Sequence, residues 1–362
     1  MPSLKSVEPH IDGLCFSWNP VEGALGYEIR RMAAGETWES IATVGASETS
    51  YVDSSLTSGK VYTYTVRAFN NYGIGLADAI GISRKFIEKP DIVSLKNVVG
   101  GVNITWEACD GADYYYIYRR ADDEEEWKQL AKRNYSSGTD YKDSTVVDGV
   151  TYEYDVNSAT DSFESAFSPE GELITYISTP GIHKVSNVLG GVEIIWSAHP
   201  QATYYVIYRK TRGIDAELLE YTEVTGTKFV DTNVVAGKSY TYSVKACTNK
   251  GESAYSSTGY TITCVLPTDV TSLTLEKNGV RITWNAVNNV DGYVIYRRPL
   301  NDNSWVKLAT AEKEAFSYTD TTAASGGEYV YAVCPYVSTS ESVKAESAPI
   351  YYIKAPTGAV AE

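Results

Sequence analysis

The stretch VRITWNAVNNVDGYVIYRR, residues 280–298, decides the fold. Val280, Ile282 and Trp284 alternate with polar neighbours, the period of a strand that buries one face. Leu14, Phe16 and Trp18 repeat the pattern, as do Val102, Ile104 and Trp106. The four tryptophans Trp18, Trp106, Trp196 and Trp284 lie 88, 90 and 88 residues apart. Pro2, Pro90, Pro180, Pro267 and Pro356 keep nearly the same step, at 88, 90, 87 and 89. A period this long marks a repeated unit rather than a local motif.

Other columns run in phase with the tryptophans. Nine residues after each stands a tyrosine: Tyr27, Tyr115, Tyr205 and Tyr293. An aromatic-x-Asp signature recurs as Tyr51/Asp53, Tyr141/Asp143, Phe229/Asp231 and Tyr318/Asp320. A glycine and then Tyr-x-Tyr-x-Val follow, at Tyr62–Val66, Tyr152–Val156, Tyr240–Val244 and Tyr329–Val333. With Tyr118, Tyr208 and Tyr296, these columns hold 18 of the chain's 30 tyrosines. Short alternating runs broken by Gly, Asn, Asp and Ser predict about seven strands per unit. No stretch joins a 3.6-residue apolar period to helix caps.

Each unit therefore resembles a fibronectin type III domain. The strand-B tryptophan matches that family's core anchor, and Tyr62, Tyr152, Tyr240 and Tyr329 match its tyrosine corner. An apolar residue six positions earlier (Leu56, Val146, Val234, Ala323) fits the same motif. The resemblance implies an all-β chain of four tandem immunoglobulin-like, seven-stranded β-sandwiches, over 1–89, 90–179, 180–266 and 267–355. Residues 356–362 then begin a further joint or a tail. The segments VDGYVIYRR (290–298) and GKSYTYSVKA (237–246) resemble repeats of secreted bacterial proteins, which sit beside carbohydrate-active or anchoring domains. The Pro-rich segment that follows the tryptophan in the animal type is absent.

The prolines leave almost no linker between units, and proline restricts its own φ and the residue before it, so the joints should be semi-rigid. Strands of this kind give about 35 Å per unit, and four in line reach on the order of 140 Å. The expectation is a monomeric rod joined to further domains. The bare ends, Met1-Pro2 and Ala355-Pro356-Thr357-Gly358, read as a segment of a longer protein whose export signal lies elsewhere. A complete cytoplasmic protein is the alternative.

Charge and chemistry narrow the function. Thirty-one basic against 46 acidic residues give −15, which argues against nucleic acid and anionic membranes. No apolar run approaches the ~18 residues of a membrane span. Residues 90–179 carry 7 basic and 18 acidic groups, most of the excess. Their run Asp122-Asp123-Glu124-Glu125-Glu126 lacks the ligand spacing and turn glycine of a calcium loop and reads as a solvated turn. His10, His183 and His199 show no metal-ligand spacing. Cys247 and Cys264 share a unit near the ends of two strands and are the one candidate disulfide pair. No nucleophile elbow, phosphate loop or dinucleotide fingerprint occurs, and Arg212-Gly213-Ile214-Asp215 only approximates an integrin tripeptide. The reading is no enzyme and no cofactor.

One surface remains. If Tyr293 and Ile295 face the core, Tyr296 faces out; with Leu308 buried on the next strand, Trp305 also faces out. The same parity sets Tyr118 beside Trp127 and makes Arg30 and Trp38 a cation–π pair. Unit three keeps Tyr208 but has Ala216 in place of the tryptophan. Outward aromatics either stack on a polysaccharide or protein partner or simply stabilise their own hairpin. The leading expectation is an extracellular spacer at a bacterial surface, with an adhesion module as alternative and an intracellular scaffold as a distant third.

Overall fold

The structure, a computed structural model, describes residues 1–78, 80–211, 219–255 and 259–355. Among these residues the regular structure is β, apart from one short 3-10 turn at Tyr135–Ser137. The first repeat sets the pattern with β1 (Leu4–His10), β2 (Gly13–Trp18), β3 (Gly26–Ala33), β4 (Glu39–Gly45), β5 (Ser50–Asp53), β6 (Val61–Asn70), β7 (Gly73–Ile74) and β8 (Ile82–Lys85). One antiparallel sheet runs β1-β2-β5; the other runs β4-β3-β6, with β7 and β8 both on β6. The second repeat has β9 (Ile92–Val98), β10 (Gly101–Trp106), β11 (Tyr114–Ala121), β12 (Lys128–Asn134), β13 (Asp140–Asp143), β14 (Thr151–Ala159) and β15 (Glu172–Thr175). Its sheets are β13-β10-β9 and β12-β11-β14-β15. The third and fourth repeats each pair a three-stranded with a five-stranded sheet in the same order.

The period-2 runs land where they were predicted. Along β2, Leu14, Phe16 and Trp18 point into the core and are almost completely buried. Each tryptophan packs against the tyrosine nine residues on, with ring centroids 5.4, 5.4, 5.5 and 5.5 Å apart. Three of these pairs are T-shaped, which sets a positive ring edge against a negative face.

The tyrosine hydroxyls satisfy turn backbone. The amides of Thr57, Val147, Val235 and Ala324 donate to Tyr62, Tyr152, Tyr240 and Tyr329, each five residues on, at 2.9, 2.9, 2.9 and 3.1 Å. Those contacts form the expected tyrosine corner four times. Tyr27, Tyr115, Tyr205 and Tyr293 accept likewise from Val21, Cys109, His199 and Val287 at 2.8–3.0 Å. Tyrosine is common here because each copy uses a ring for the core and a hydroxyl for a loop.

Strand parity needs one correction. The register slips between Ile29 and Arg30, Ile117 and Tyr118, and Ile295 and Tyr296, a β-bulge in each case. Trp38, Trp127 and Trp305 each stand one residue before the strand that the alternation assigned them to. Counting outward from Leu308 therefore does not place Trp305, because the bulge and the strand start intervene.

The chain divides into two compact units, Met1–Ser178 and Thr179–Glu362, one residue from the expected joint at Pro180. Within the first unit the two sandwiches bond directly across their joint. Ser58 Oγ donates to the Asp110 carbonyl at 2.6 Å and Lys85 Nζ to that of Gly111 at 2.7 Å. Gly59 and Gly111 face each other with φ of +86° and +81°, and a Cβ on Gly111 would lie 2.3 Å from Gly59 Cα. Only glycine allows that approach.

Removing the corner hydroxyl tests this local logic. In Tyr152→Phe the Val147 amide loses its acceptor, so protection of the 143–152 turn in hydrogen exchange should fall by about 1–3 kcal/mol. The equivalent turns of the other repeats serve as internal references and should not change.

Candidate functional site

The sheet face formed by β11, β12 and β14 presents the densest aromatic surface. On β11, Tyr115 and Ile117 point inward, so Tyr114, Tyr116, Tyr118 and Arg120 share the outer side. Ring centroids lie 5.4 Å apart for Tyr114 and Tyr116, and 6.3 Å for Tyr116 and Tyr118. Phe167 then sits between the two residues singled out in the sequence, 4.5 Å from Tyr118 and 6.5 Å from Trp127. Tyr118 and Trp127 thus share one patch, joined through Phe167 rather than directly. Arg120 covers one face of Trp127 at 4.6 Å, and the site of a Gly171 Cβ lies 2.7 Å from that ring. Tyr118 donates to Glu164 at 3.1 Å, and burial together with that carboxylate pushes its phenol pKa up.

The other repeats hold their aromatics differently. Tyr296 donates to Glu341 at 2.7 Å and carries Lys344 Nζ 4.0 Å above its ring. Trp305 lies under Arg298 at 5.3 Å, and Arg298 also pairs with Glu346 at 2.7 Å. No ring contact joins Tyr296 to Trp305 among the described residues. Arg30 stands 6.0 Å from the Trp38 ring, the outer limit of a cation–π contact, and donates to the Trp38 carbonyl at 3.2 Å. Tyr208 stacks on Tyr255 at 5.2 Å. Ala216 and the Arg212–Asp215 tetrapeptide lie outside the described residues. All six singled-out side chains are half-buried rather than fully exposed.

A second constellation went unread in the sequence. Asp53, Asp143, Asp231 and Asp320 are 2% exposed or less. Each accepts from an arginine, Arg31, Arg119, Arg209 or Arg297, at 2.9, 2.6, 2.7 and 2.6 Å. Each also accepts from the second tyrosine of Tyr-x-Tyr, at Tyr64, Tyr154, Tyr242 and Tyr331, at 2.7–2.9 Å. The same arginines lie 4.4–5.3 Å from the corner-tyrosine rings. Phase alone could have found this column, since an arginine stands four residues after each strand-C tyrosine. Burial of Asp143 opposes its charge, but donors on Thr145, then Tyr154 and Arg119, outweigh that and hold its pKa below the usual range. Asp320 is held low in the same way by Thr322, Tyr331 and Arg297. This constellation ties one sheet to the other and is closed to ligand.

The remaining reactive groups are dispersed. The carboxylates of 122–126 are exposed, and no cluster of three metal-binding side chains occurs among the described residues. Burial raises the thiols of Cys109 to about 12 and of Cys264 and Cys334 to about 11, away from thiolate chemistry. The candidate pair Cys247 and Cys264 is not a disulfide. Ser239 pairs with Thr263, so Cys264 adjoins one end of the strand Ser239–Thr248 while Cys247 stands near the other. At ~3.4 Å per residue that separation is about 30 Å, far beyond bridging distance.

These sandwiches, with their tryptophan anchors and corner tyrosines, define an immunoglobulin-like β-sandwich class. No family model matches the chain. Fibronectin type III domain-containing protein 7 of Mus musculus is 24% identical over 300 residues, 81% of this chain and 39% of that protein. The fold is that of tandem fibronectin type III-like sandwiches. Exoglucanase B of Cellulomonas fimi is 22% identical across 73% of this chain and 26% of its own length. Amylopullulanase of Thermoanaerobacter thermohydrosulfuricus is 27% identical across 45% and 11%. The chain thus spans less than two-fifths of the curated relatives it matches. Among solved structures, the FN1-FN3 domains of chicken CNTN1 cover 74% of this chain and 98% of their own, at 17% identity and a TM-score of 0.23. A two-domain fibronectin type III segment of chicken tenascin covers 48% and 100%, at 16% and 0.29. Similarity to one animal and two bacterial proteins does not single out the bacterial style.

The depressed carboxylates fix a pH dependence. Their contribution to stability is complete above the unfolded pKa of about 4 and is lost as pH falls through the lower folded value. Burial raises Asp155, which acts with the opposite sign. Thermal unfolding of the wild type and Asp143→Asn should therefore differ most near neutral pH and converge below about pH 4. A gap that stayed constant down to pH 2 would count against the assignment.

Proposed function

We propose that the chain is a non-catalytic spacer of four tandem modules, bounded at 1–89, 90–179, 180–266 and 267–355, in an extracellular bacterial protein. It holds catalytic or anchoring domains apart. One observation carries this reading: each module closes the same arginine, aspartate and tyrosine network within itself. Such a module brings its own fold to any position in a chain. Similarity to stretches of Exoglucanase B and Amylopullulanase supports a setting beside carbohydrate-active domains.

A second reading, adhesion to polysaccharide or protein, is favoured by the Tyr114–Tyr118, Phe167 and Trp127 surface alone. Affinity electrophoresis in gels containing β-glucan or starch separates the two. A spacer migrates as it does in a plain gel at every polysaccharide concentration. Adhesion predicts saturable retardation that Trp127→Ala and Trp305→Ala weaken without unfolding the chain.

A further inference from the structure

The two sandwiches of the Met1–Ser178 unit enclose a groove. Glu8–Ile11 and Arg84 form one wall, and Glu164–Phe167 with Pro169 form the other, around a volume of about 590 Å³. Two adjoining cavities extend it past Lys89 and Asp91 to Glu170 and Glu172.

The walls are fastened to each other. Lys89 Nζ lies 2.5 Å from Asp155, whose side chain is 1% exposed. The Ser158 hydroxyl donates to the Glu88 carbonyl, and Arg84 lies 5.5 Å from the Phe163 ring. At the Asp155 position the other repeats have Thr65, Ser243 and Ala332, so none repeats this clamp. A groove held in this way is preformed, and a ligand need not order it.

Its chemistry is apolar below and acidic at the rim. Ile11 and Phe167 are 48% and 42% exposed. The cations present are already engaged: Arg84 by Glu8, Lys85 by the Gly111 carbonyl and Lys89 by Asp155. Asp91, Glu170 and Glu172 are exposed and make no ion pair among the described residues. Nearby rings already take cations from their own chain: Lys132 lies 3.3 Å from Tyr114 and Arg120 4.6 Å from Trp127. No such cation covers Phe167 among the described residues. A sugar needs an open flat ring, and Arg120 occupies a face of the largest ring here, Trp127.

We propose that this groove docks a cationic segment of a partner protein. A lysine or arginine stacks on Phe167, with its charge toward Glu164 and the Asp91, Glu170 and Glu172 rim, while neighbouring apolar groups cover Ile11. The inference goes beyond the spacer reading, which stands whether or not the groove is occupied.

Calorimetric titration of the whole chain with decalysine, at 0.15 M salt, tests it. Saturable 1:1 binding is expected, with affinity falling as salt rises. Phe167→Ala, which changes no charge, should weaken binding about 5- to 30-fold. Ile11→Ala serves as a second neutral variant, and unchanged thermal unfolding checks the fold of both. Asp123→Asn/Glu125→Gln, at the exposed acidic turn, should leave affinity within about twofold. Weakening by that pair equal to the weakening by Phe167→Ala would show mere charge attraction and overturn the proposal. Unaltered binding in both neutral variants, no binding of decalysine, or binding of cellohexaose or maltohexaose in its place would overturn it too.

Discussion

A carboxylate removed from water must find charge and donors or it destabilises the fold that contains it. Each repeat contains such a group at the end of the short strand of its three-stranded sheet, and the second repeat has Asp155 in addition. The arginine and tyrosine partners of the strand-end group come from two adjacent strands of the opposite sheet. One buried aspartate therefore fixes how the sheets face each other, and a strand displaced by one residue would point the arginine or tyrosine away from it. Amide and hydroxyl donors two residues on complete the shell in repeats one, two and four. Apolar packing around the tryptophan supplies the general driving force, while this polar centre selects the register.

That division of labour explains what was legible in the sequence. Trp284, Tyr293 and the corner tyrosines stood out because their spacing repeats and their apolar neighbours alternate. Asp53, Asp143, Asp231 and Asp320 stood out as a column, but period-2 reasoning gives no cause for an aspartate to recur. The cause lies in Arg31 and its counterparts, which sit in basic stretches of the kind usually assigned to solvent. Parity could not be counted through to Trp305, because a bulge shifts register without leaving a mark in composition. Phe167 was illegible for another reason: it lies in an irregular segment, where neither period applies, and it reaches Trp127 only through the tertiary fold.

The repeats share a frame and differ in what they add to it. The second adds carboxylates, a run of outward tyrosines and the clamp from Asp155 to Lys89. Centres built on the same aspartate, arginine and tyrosine make the modules alike as folds, whereas these additions distinguish the first unit's joint from a plain connection. The proposed spacing and docking roles rest on different residues of the same chain. Changes at one need not disturb the other.

The central claim is that the buried aspartate and its arginine act as one structural unit. A double-mutant cycle in the second repeat, Arg119→Met and Asp143→Leu, tests it through hydrogen-exchange protection of β10 and β14. Each single change should cost about 3–5 kcal/mol, because it strands the partner's charge. The double change should cost less than their sum by at least ~1 kcal/mol. Strict additivity, with each single change below ~1 kcal/mol as for a surface pair, would contradict the account.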